Sequence, residues 1–518
     1  MQRDFLSMTI MLAFIVPATG AQVSPASSAQ KPYTLDQTVR AVVLDVAVTN
    51  ANGTPIRGLK ESDFQVAEDG VPQQTRLFED MGEHRLPANA GTKTGPALLR
   101  ETGDAPITVL LLDHVSTEPE DLHYAKEQIA KFLEGQPERL TSPTALMALT
   151  GSSLKTLMDF TLDRNRLIQG IKSDHDTSSW YVLRDRQPTM KSTGLWTSGE
   201  RFTIYGGVLQ QLATALSSYP VRKNLVWVGP GLPALDQVLA LNGQYVDAIR
   251  RIIHQLTTDL VLGRITMYTI DPQGLLVTPT EIATVHLTGN GDTQIFEKGG
   301  DPAEGDLAFE ALAPATGGRI FRMRNDVAVE LKQSVDDGEN YYTLSYDPSN
   351  KRFDGRYRKI SVVVNRPGAV VRTRLGYVAS EPSSLHPADA MALALMSSLH
   401  YAGLRTSARL AKPAELQVTV RTADLHWTPK TIEEQAAGVD LQKETAQVSV
   451  AIAQVAKGGK VLAYTVQTLH ATAAAAAVPA GSADFLIPVP KELKGTLLRV
   501  VVRDQSTGHL GSADVPLQ

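Results

Sequence analysis

Ile107-Thr108-Val109-Leu110-Leu111-Leu112-Asp113-His114-Val115-Ser116-Thr117 is the stretch that decides the fold. Its apolar half reads as a strand buried on both faces, the mark of a mostly parallel sheet. The strand then delivers a carboxylate, an imidazole and hydroxyls to its carboxyl end. That is how open α/β sheets build binding crevices.

Working outward, residues 105–338 alternate strand and helix patterns. Glu120–Leu133 carries Leu122, Ala125, Ile129, Phe132 and Leu133 at helical spacing. Ala145–Thr150 and Leu154–Phe160 read as strands joined at Gly151-Ser152, and Asp163 can cap a helix that runs to Ile171. Residues 173–200 read as a polar excursion. Tyr205–Leu216 predicts a helix, Asn224–Val228 a buried strand, Asp236–Leu256 a long helix and Ile265–Ile270 another strand. Residues 273–304 are Gly-rich and polar. Leu307–Ala315 reads as a helix stopped by Gly317-Gly318, Arg319–Phe321 as a short strand and Val327–Val335 as a last helix. Strands alternating with helices predict a doubly wound sheet covered on both faces.

The flanks are β-rich. Val42–Val48 alternates, and Asp69-Gly70 punctuates a hairpin between Phe64–Glu68 and Gln74–Phe78. The period-two pattern returns in Tyr341–Tyr346, Lys359–Val364 and Val370–Tyr377, where Tyr342, Leu344 and Tyr346 share the core face. Residues 38–80 and 340–379 are each too short for a core of their own, so they are expected to form one split β-sandwich around the α/β part. Residues 387–518 are mainly strand and predict a second β-sandwich. The Ala471–Ala477 tract has helix propensity among strands and receives no state.

Composition narrows the function. A chain of 518 residues suits about two to four domains. Its net charge of −5, without a basic stripe, argues against nucleic acid. There are 0 cysteines, which removes thiol catalysis, disulfides and Cys-ligated zinc together. Residues 1–21 read as a signal peptide: Arg3, an apolar stretch Leu6–Val16, then Ala18-Thr19-Gly20-Ala21. The stretch is too short to span a membrane, and no later run approaches the length of about 18 apolar residues that would. The expectation is an exported, periplasmic or extracellular protein without a transmembrane segment after cleavage.

Further residues carry a resemblance. Arg57-Gly58-Leu59, Asp63-Phe64, Glu68-Asp69-Gly70-Val71-Pro72-Gln73, Arg222–Val228, Tyr268–Leu275, Ala315–Arg319, Asn340–Tyr346, Asn365-Arg366-Pro367-Gly368 and Arg374–Tyr377 follow one another in order. Together with Asp113–Thr117 they resemble von Willebrand factor A domains, and more narrowly the related proteins of Acidobacteria and similar soil bacteria. The likeness spans roughly residues 38–380. It implies a divalent cation, Mg2+ or Ca2+, held by a D-x-S-x-S loop, a second-loop Thr and a third-loop Asp. An open coordination position then accepts a partner's carboxylate. Onto that set Asp113 maps as the first acid, Thr117 as the second hydroxyl and Thr203 as the second-loop Thr. Val115 stands where a Ser is needed, and Gly229-Pro230-Gly231 where the third-loop Asp is needed. Three roles stay open for Asp113: a metal ligand, an acceptor for loop amides or a helix turn, or part of a remodelled site with His114 or Glu118. The loop residues His114, Ser116, Glu118, Gly229 and Pro230 are the expected partner-binding positions.

No catalytic set assembles elsewhere. H-E-x-x-H, G-x-S-x-G, the P-loop and G-x-G-x-x-G are all missing. Ser152–Lys155 matches S-x-x-K and Lys93–Gly95 matches K-T-G, but in a turn and a linker and in the wrong chain order. Asp174-His175-Asp176 offers a metal or hydrolytic alternative in the excursion. The sequence therefore points first to a non-enzymatic binding or adhesion protein with a protein partner. An extracytoplasmic hydrolase and a structural envelope component are the alternatives.

Overall fold

The computed structural model describes residues 22–24, 41–83, 86, 93–102, 105–150, 153–175, 193–217, 219, 221–231, 243–274, 312–322, 324–352, 354–379, 387–397, 399–429, 443–456, 459–474 and 481–517. The expected signal peptide, Asp176, Ser152 and residues 275–304 lie outside them. The chain is mixed α/β with several sheets. It divides into two compact units, Asp36–Ser383 and Ser384–Gln518, the second joined by the segment before Asp36. Its first described strand, β1 (Gln22–Ser24), belongs to that second unit. No helix of the described residues is long and apolar enough to cross a membrane.

The first unit begins with β2 (Val42–Thr49), β3 (Phe64–Glu68), β4 (Val71–Gln73) and β5 (Thr75–Asp80). Helix α1 (Gly95–Glu101) leads to β6 (Ile107–Asp113), α2 (Pro119–Glu134), β7 (Arg139–Thr150), β8 (Ser153–Asp163) and α3 (Arg164–Lys172). Then follow α4 (Thr193–Leu216), β9 (Lys223–Val228), α5 (Gly243–Leu262), β10 (Ile265–Ile270), α6 (Leu312–Ala315), β11 (Ile320–Phe321) and α7 (Val327–Glu339). The unit closes with β12 (Tyr342–Tyr346), β13 (Tyr357–Val364), β14 (Val370–Arg372) and β15 (Gly376–Val378).

The six-stranded sheet has the order β11-β10-β9-β6-β7-β8. All its pairs are parallel except β7–β8. Every residue of β6, β9 and β10 is buried. The reason is coverage on both faces. Leu110, Leu112, Val226 and Val228 pack in one cluster with Leu122 and Ile129 of α2, Leu167 of α3 and Leu331 of α7. On the opposite face stand Leu111 and its register partner Trp227, whose ring meets Tyr205 of α4 edge-on at 4.8 Å.

Two antiparallel four-stranded sheets, β14-β2-β12-β5 and β15-β13-β3-β4, share a second cluster built from Leu44, Val46, Phe64, Val66, Tyr342 and Ile360. Strands from before and after the α/β part thus complete one core. The expectation of a single strand over Val370–Tyr377 is corrected. β14 pairs with β2 and β15 with β13, because the chain changes sheets between them. All of β12 is buried, and not one face alone, since its outward Thr343 lies against the Arg264–Asp45 ion pair. A second pair, Arg372–Asp337 at 2.7 Å, ties β14 to α7.

The second unit holds α8 (Pro387–Met396), β16 (Thr406–Lys412), β17 (Glu415–Arg421), β18 (Thr428–Pro429), β19 (Lys443–Val455), β20 (Val461–Ala474), β21 (Ser482–Pro488), β22 (Leu497–Asp504) and β23 (Leu510–Pro516). One sheet runs β1-β21-β17-β16. The other runs β18-β19-β22-β23, with β20 added on β19. Leu416, Val418, Phe485, Val450, Ile452 and Val500 join the two sheets in one core. The first part of the Ala471–Ala477 tract is strand as far as Ala474, because pairing with β19 outweighs a helix preference of a few tenths of a kcal/mol, or roughly that, per residue.

Candidate functional site

The chain leaves β6 toward β7 and β8 on one side of the sheet, and β9, β10 and β11 build the other side. The carboxyl ends of β6 and β9 therefore flank the switch point where open α/β sheets place ligands. Asp113 ends β6, and Gly229 follows β9.

Strand alternation decides which way Asp113 points. It continues the parity of Val109 and Leu111, so it belongs to the face of Trp227 and α4. Its side chain is fully buried there. Oδ1 accepts the amides of Val115 at 2.9 Å and Ser116 at 3.0 Å. Oδ2 accepts the Tyr205 hydroxyl at 2.5 Å and Trp227 Nε1 at 3.3 Å. The phenol oxygen also lies 2.5 Å from Ser116 Oγ. Having one proton, which goes to the carboxylate, it receives the proton of Ser116. Burial pushes the Asp113 carboxyl above the usual carboxylate range, and the hydrogen bonds from Tyr205, Ser116, Val115 and Trp227 oppose that rise.

The donor set does not fit the cation that the resemblance implies. Mg2+ and Ca2+ need several free oxygens. Here N–H and O–H donors already occupy both carboxylate oxygens. Val115 is buried and apolar. A Cβ at Gly229 would lie 2.5 Å from Asp113 Cβ and 3.0 Å from Thr117 Oγ1, so no acid can stand there beside Asp113. Among the described residues, no group of three or more His, Cys, Asp or Glu side chains converges to hold a metal.

The expected site residues divide. Asp113, Ser116 and Thr117 do come together, all buried, and Thr117 Oγ1 has no hydrogen-bond partner among the described residues. Thr203 is not in a loop before a helix, as expected. α4 begins at Thr193, no proline interrupts it, and Thr203 sits inside it; its side chain lies outside the described residues. His114 and Gly229 are buried, and Ser116 is 8% exposed, so of the partner-binding positions only Glu118 is open and Pro230 half-buried. Tyr205 and Trp227 are the residues that sequence reasoning missed. The available signal was parity: Trp227 pairs with Leu111, two residues before Asp113.

His114 points elsewhere. Its Nε2 lies 3.0 Å from Asp174 Oδ2, and Lys126 Nζ lies 2.9 Å from the same oxygen. Burial pushes the Asp174 carboxyl up, but His114 and Lys126 outweigh it and hold it down at about 2. Asp174 is thus turned inward while His175 is exposed. The pairing expected for an Asp174-His175-Asp176 centre is broken at its first member.

Beside Asp113, among the described residues, stands an acidic patch at the start of α2, while Arg322 donates to the Pro230 carbonyl across from it. Glu118 and Glu120 are exposed at the start of α2. Burial raises the Asp121 carboxyl, and Glu118, Asp271 and Glu120 add to the rise by repulsion. Glu330 of α7 is buried, with Arg324 Nε 3.3 Å from its Oε1. Burial pushes its carboxyl up to about 7 from the ordinary 4.5, despite Arg324.

The sign follows from linkage. Between 4.5 and about 7 the unfolded chain loses this proton while the folded chain keeps it. Folding therefore weakens as pH rises through that window. Glu330→Gln, which keeps the shape without the charge, is expected to gain on the order of 1–3 kcal/mol over the native chain at pH 8 and almost nothing at pH 4. Urea unfolding at both values checks this. An equal gap at both would contradict it.

No protein-family model matches the chain, and no curated protein sequence matches it.

Proposed function

We propose that the chain is an exported, non-enzymatic binding protein built around a von Willebrand factor A-like domain whose cation position is closed by its own side chains. In this reading the A-like domain spans 105–338. A split β-sandwich of 38–80 with 340–379 carries it, and a second β-sandwich spans 387–518. The observation that carries the proposal is Asp113. It stands at the switch point of the sheet, yet both its oxygens are taken by Val115, Ser116, Tyr205 and Trp227. A domain of this kind would grip a protein partner through the surface at Glu118, Glu120 and Pro230, and not through a shared ion. The acidic patch favours a basic face on the partner.

The test is a pull-down from the envelope of the producing cell, with and without chelator. The expected result is capture that the chelator leaves unchanged and that Glu118→Lys with Glu120→Lys reduces. Release by chelator, or undiminished capture by that variant, would contradict the reading.

A further inference from the structure

A buried amine stands at the amino end of the six-stranded sheet, away from Asp113. Lys223 opens β9 and is 1% exposed. Its Nζ donates to two backbone carbonyls. One belongs to Tyr219, in the connection from α4, and the other, at 2.6 Å, to Gly263, just past α5. The register partners of Lys223 on β10 and β6 are Ile265 and Ile107, both buried.

The number of acceptors decides which form of the amine fits. An ammonium has three N–H bonds and a neutral amine two. The described residues offer Lys223 two acceptors, and neither is a carboxylate. A third buried N–H would go without an acceptor, which is unfavourable. The charges that act on Lys223 are Arg264, ahead of β10, and Asp45 of β2. These two are paired with each other, Arg264 Nε lying 3.2 Å from Asp45 Oδ2, and Thr343 of β12 joins them. On α5 the Asp259 carboxylate is engaged by Gln255 at 2.7 Å. Burial pushes the Tyr219 phenol up, so it carries no charge. Carbonyls at helix ends favour a cation. Burial and the Arg264 guanidinium act the other way and push the amine down to about 7 from the ordinary 10.5, with Asp45 opposing.

We propose that Lys223 is a pH-sensitive latch: its uncharged amine joins the connection after α4 to the end of α5, and protonation loosens that joint. Linkage gives the sign. Between about 7 and 10.5 the unfolded chain holds this proton and the folded chain does not. Stability therefore rises with pH through that window. Below it the cost of the buried charge is complete, so the latch is tight on the alkaline side of neutrality and loose on the acid side.

Urea unfolding of the full chain, native against Lys223→Met, tests this. The methionine keeps the length of the side chain but takes up no proton. The expected result is that the native folding constant, divided by that of Lys223→Met, rises by on the order of 100-fold between about pH 6.5 and about pH 9.5. Groups such as Glu330 titrate in both chains and drop out of the ratio. A constant ratio overturns the proposal. Carbon NMR of the lysine Cε atoms reads the native amine without a variant. One resonance should titrate near 7, and a chain whose lysines all titrate near 10.5 overturns the proposal as well. Hydrogen exchange, corrected for its intrinsic pH dependence, should open the Gly263 and Arg264 amides more readily on the acid side. Equal protection on both sides would mean that protonation loosens nothing.

Discussion

Asp113→Ala is expected to destabilise the chain by on the order of 4 kcal/mol or more, and Asp113→Asn by about 1–2 kcal/mol. The alanine leaves the amides of Val115 and Ser116 and the Trp227 indole without their acceptor in a dry interior. Each such buried donor costs roughly 1–3 kcal/mol. Tyr205 can still turn to Ser116, so its hydroxyl adds little. The asparagine keeps one oxygen for the two loop amides and removes a charge that burial disfavours. Its amide group meets the indole N–H donor to donor, but it can donate to the Tyr205 oxygen. Denaturant unfolding gives both numbers. Equal losses, or none in either variant, would mean that Asp113 does not hold β6, α4 and β9 together.

Gly338→Ala is the second large effect, and its sign is a contest between two terms. Alanine in a helix interior is favoured over glycine by about 1 kcal/mol. Against that, a Cβ at Gly338 would stand 1.3 Å from Asn224 Nδ2 and 2.1 Å from its Cγ. Asn224 is fully buried on β9 and accepts from Arg222 Nε at 3.3 Å, so it has no room to withdraw. Overpacking of this kind costs about 3 kcal/mol or more, and the clash wins. Gly207→Ala is the internal control. It lies in α4 with nothing within 4 Å of its would-be Cβ, so there the helix term alone should stabilise by about 0.5–1 kcal/mol. Asn224→Ala combined with Gly338→Ala should recover part of the loss, because the atoms struck by the methyl are gone. A neutral Gly338→Ala would show that α7 stands off the sheet.

Periodicity made the sheet of the first unit readable. β6, β9 and β10 are rich in apolar residues and buried along their whole length, as strands covered on both faces are. Asp113 could be placed at a strand end for the same reason. What closes its site could not be read as easily. Tyr205 and Trp227 lie 92 and 114 residues from Asp113 along the chain; the register of β6 with β9 brings Trp227 to it, and the packing of α4 on Trp227 brings Tyr205. Thr203 was misplaced because a polar stretch without helical periodicity reads as loop, while α4 runs on from Thr193. The one strand expected over Val370–Tyr377 is two, since alternation does not reveal a change of sheet. His114 reads as a loop ligand beside Asp113, yet successive residues diverge, and it turns to Asp174 and Lys126.

The proposed function is recognition by surface charge, with no ion between the partners. Thermal unfolding of the full chain in millimolar Mg2+ or Ca2+, set against the same chain in chelator, tests that account most directly. A bound cation raises stability by RT ln(1 + [L]/Kd). The prediction is no shift beyond about 1 °C with either ion, because Val115, Ser116, Tyr205 and Trp227 already hold both carboxylate oxygens of Asp113. A melting temperature that climbs with cation concentration, and stops climbing in Asp113→Asn, would contradict it.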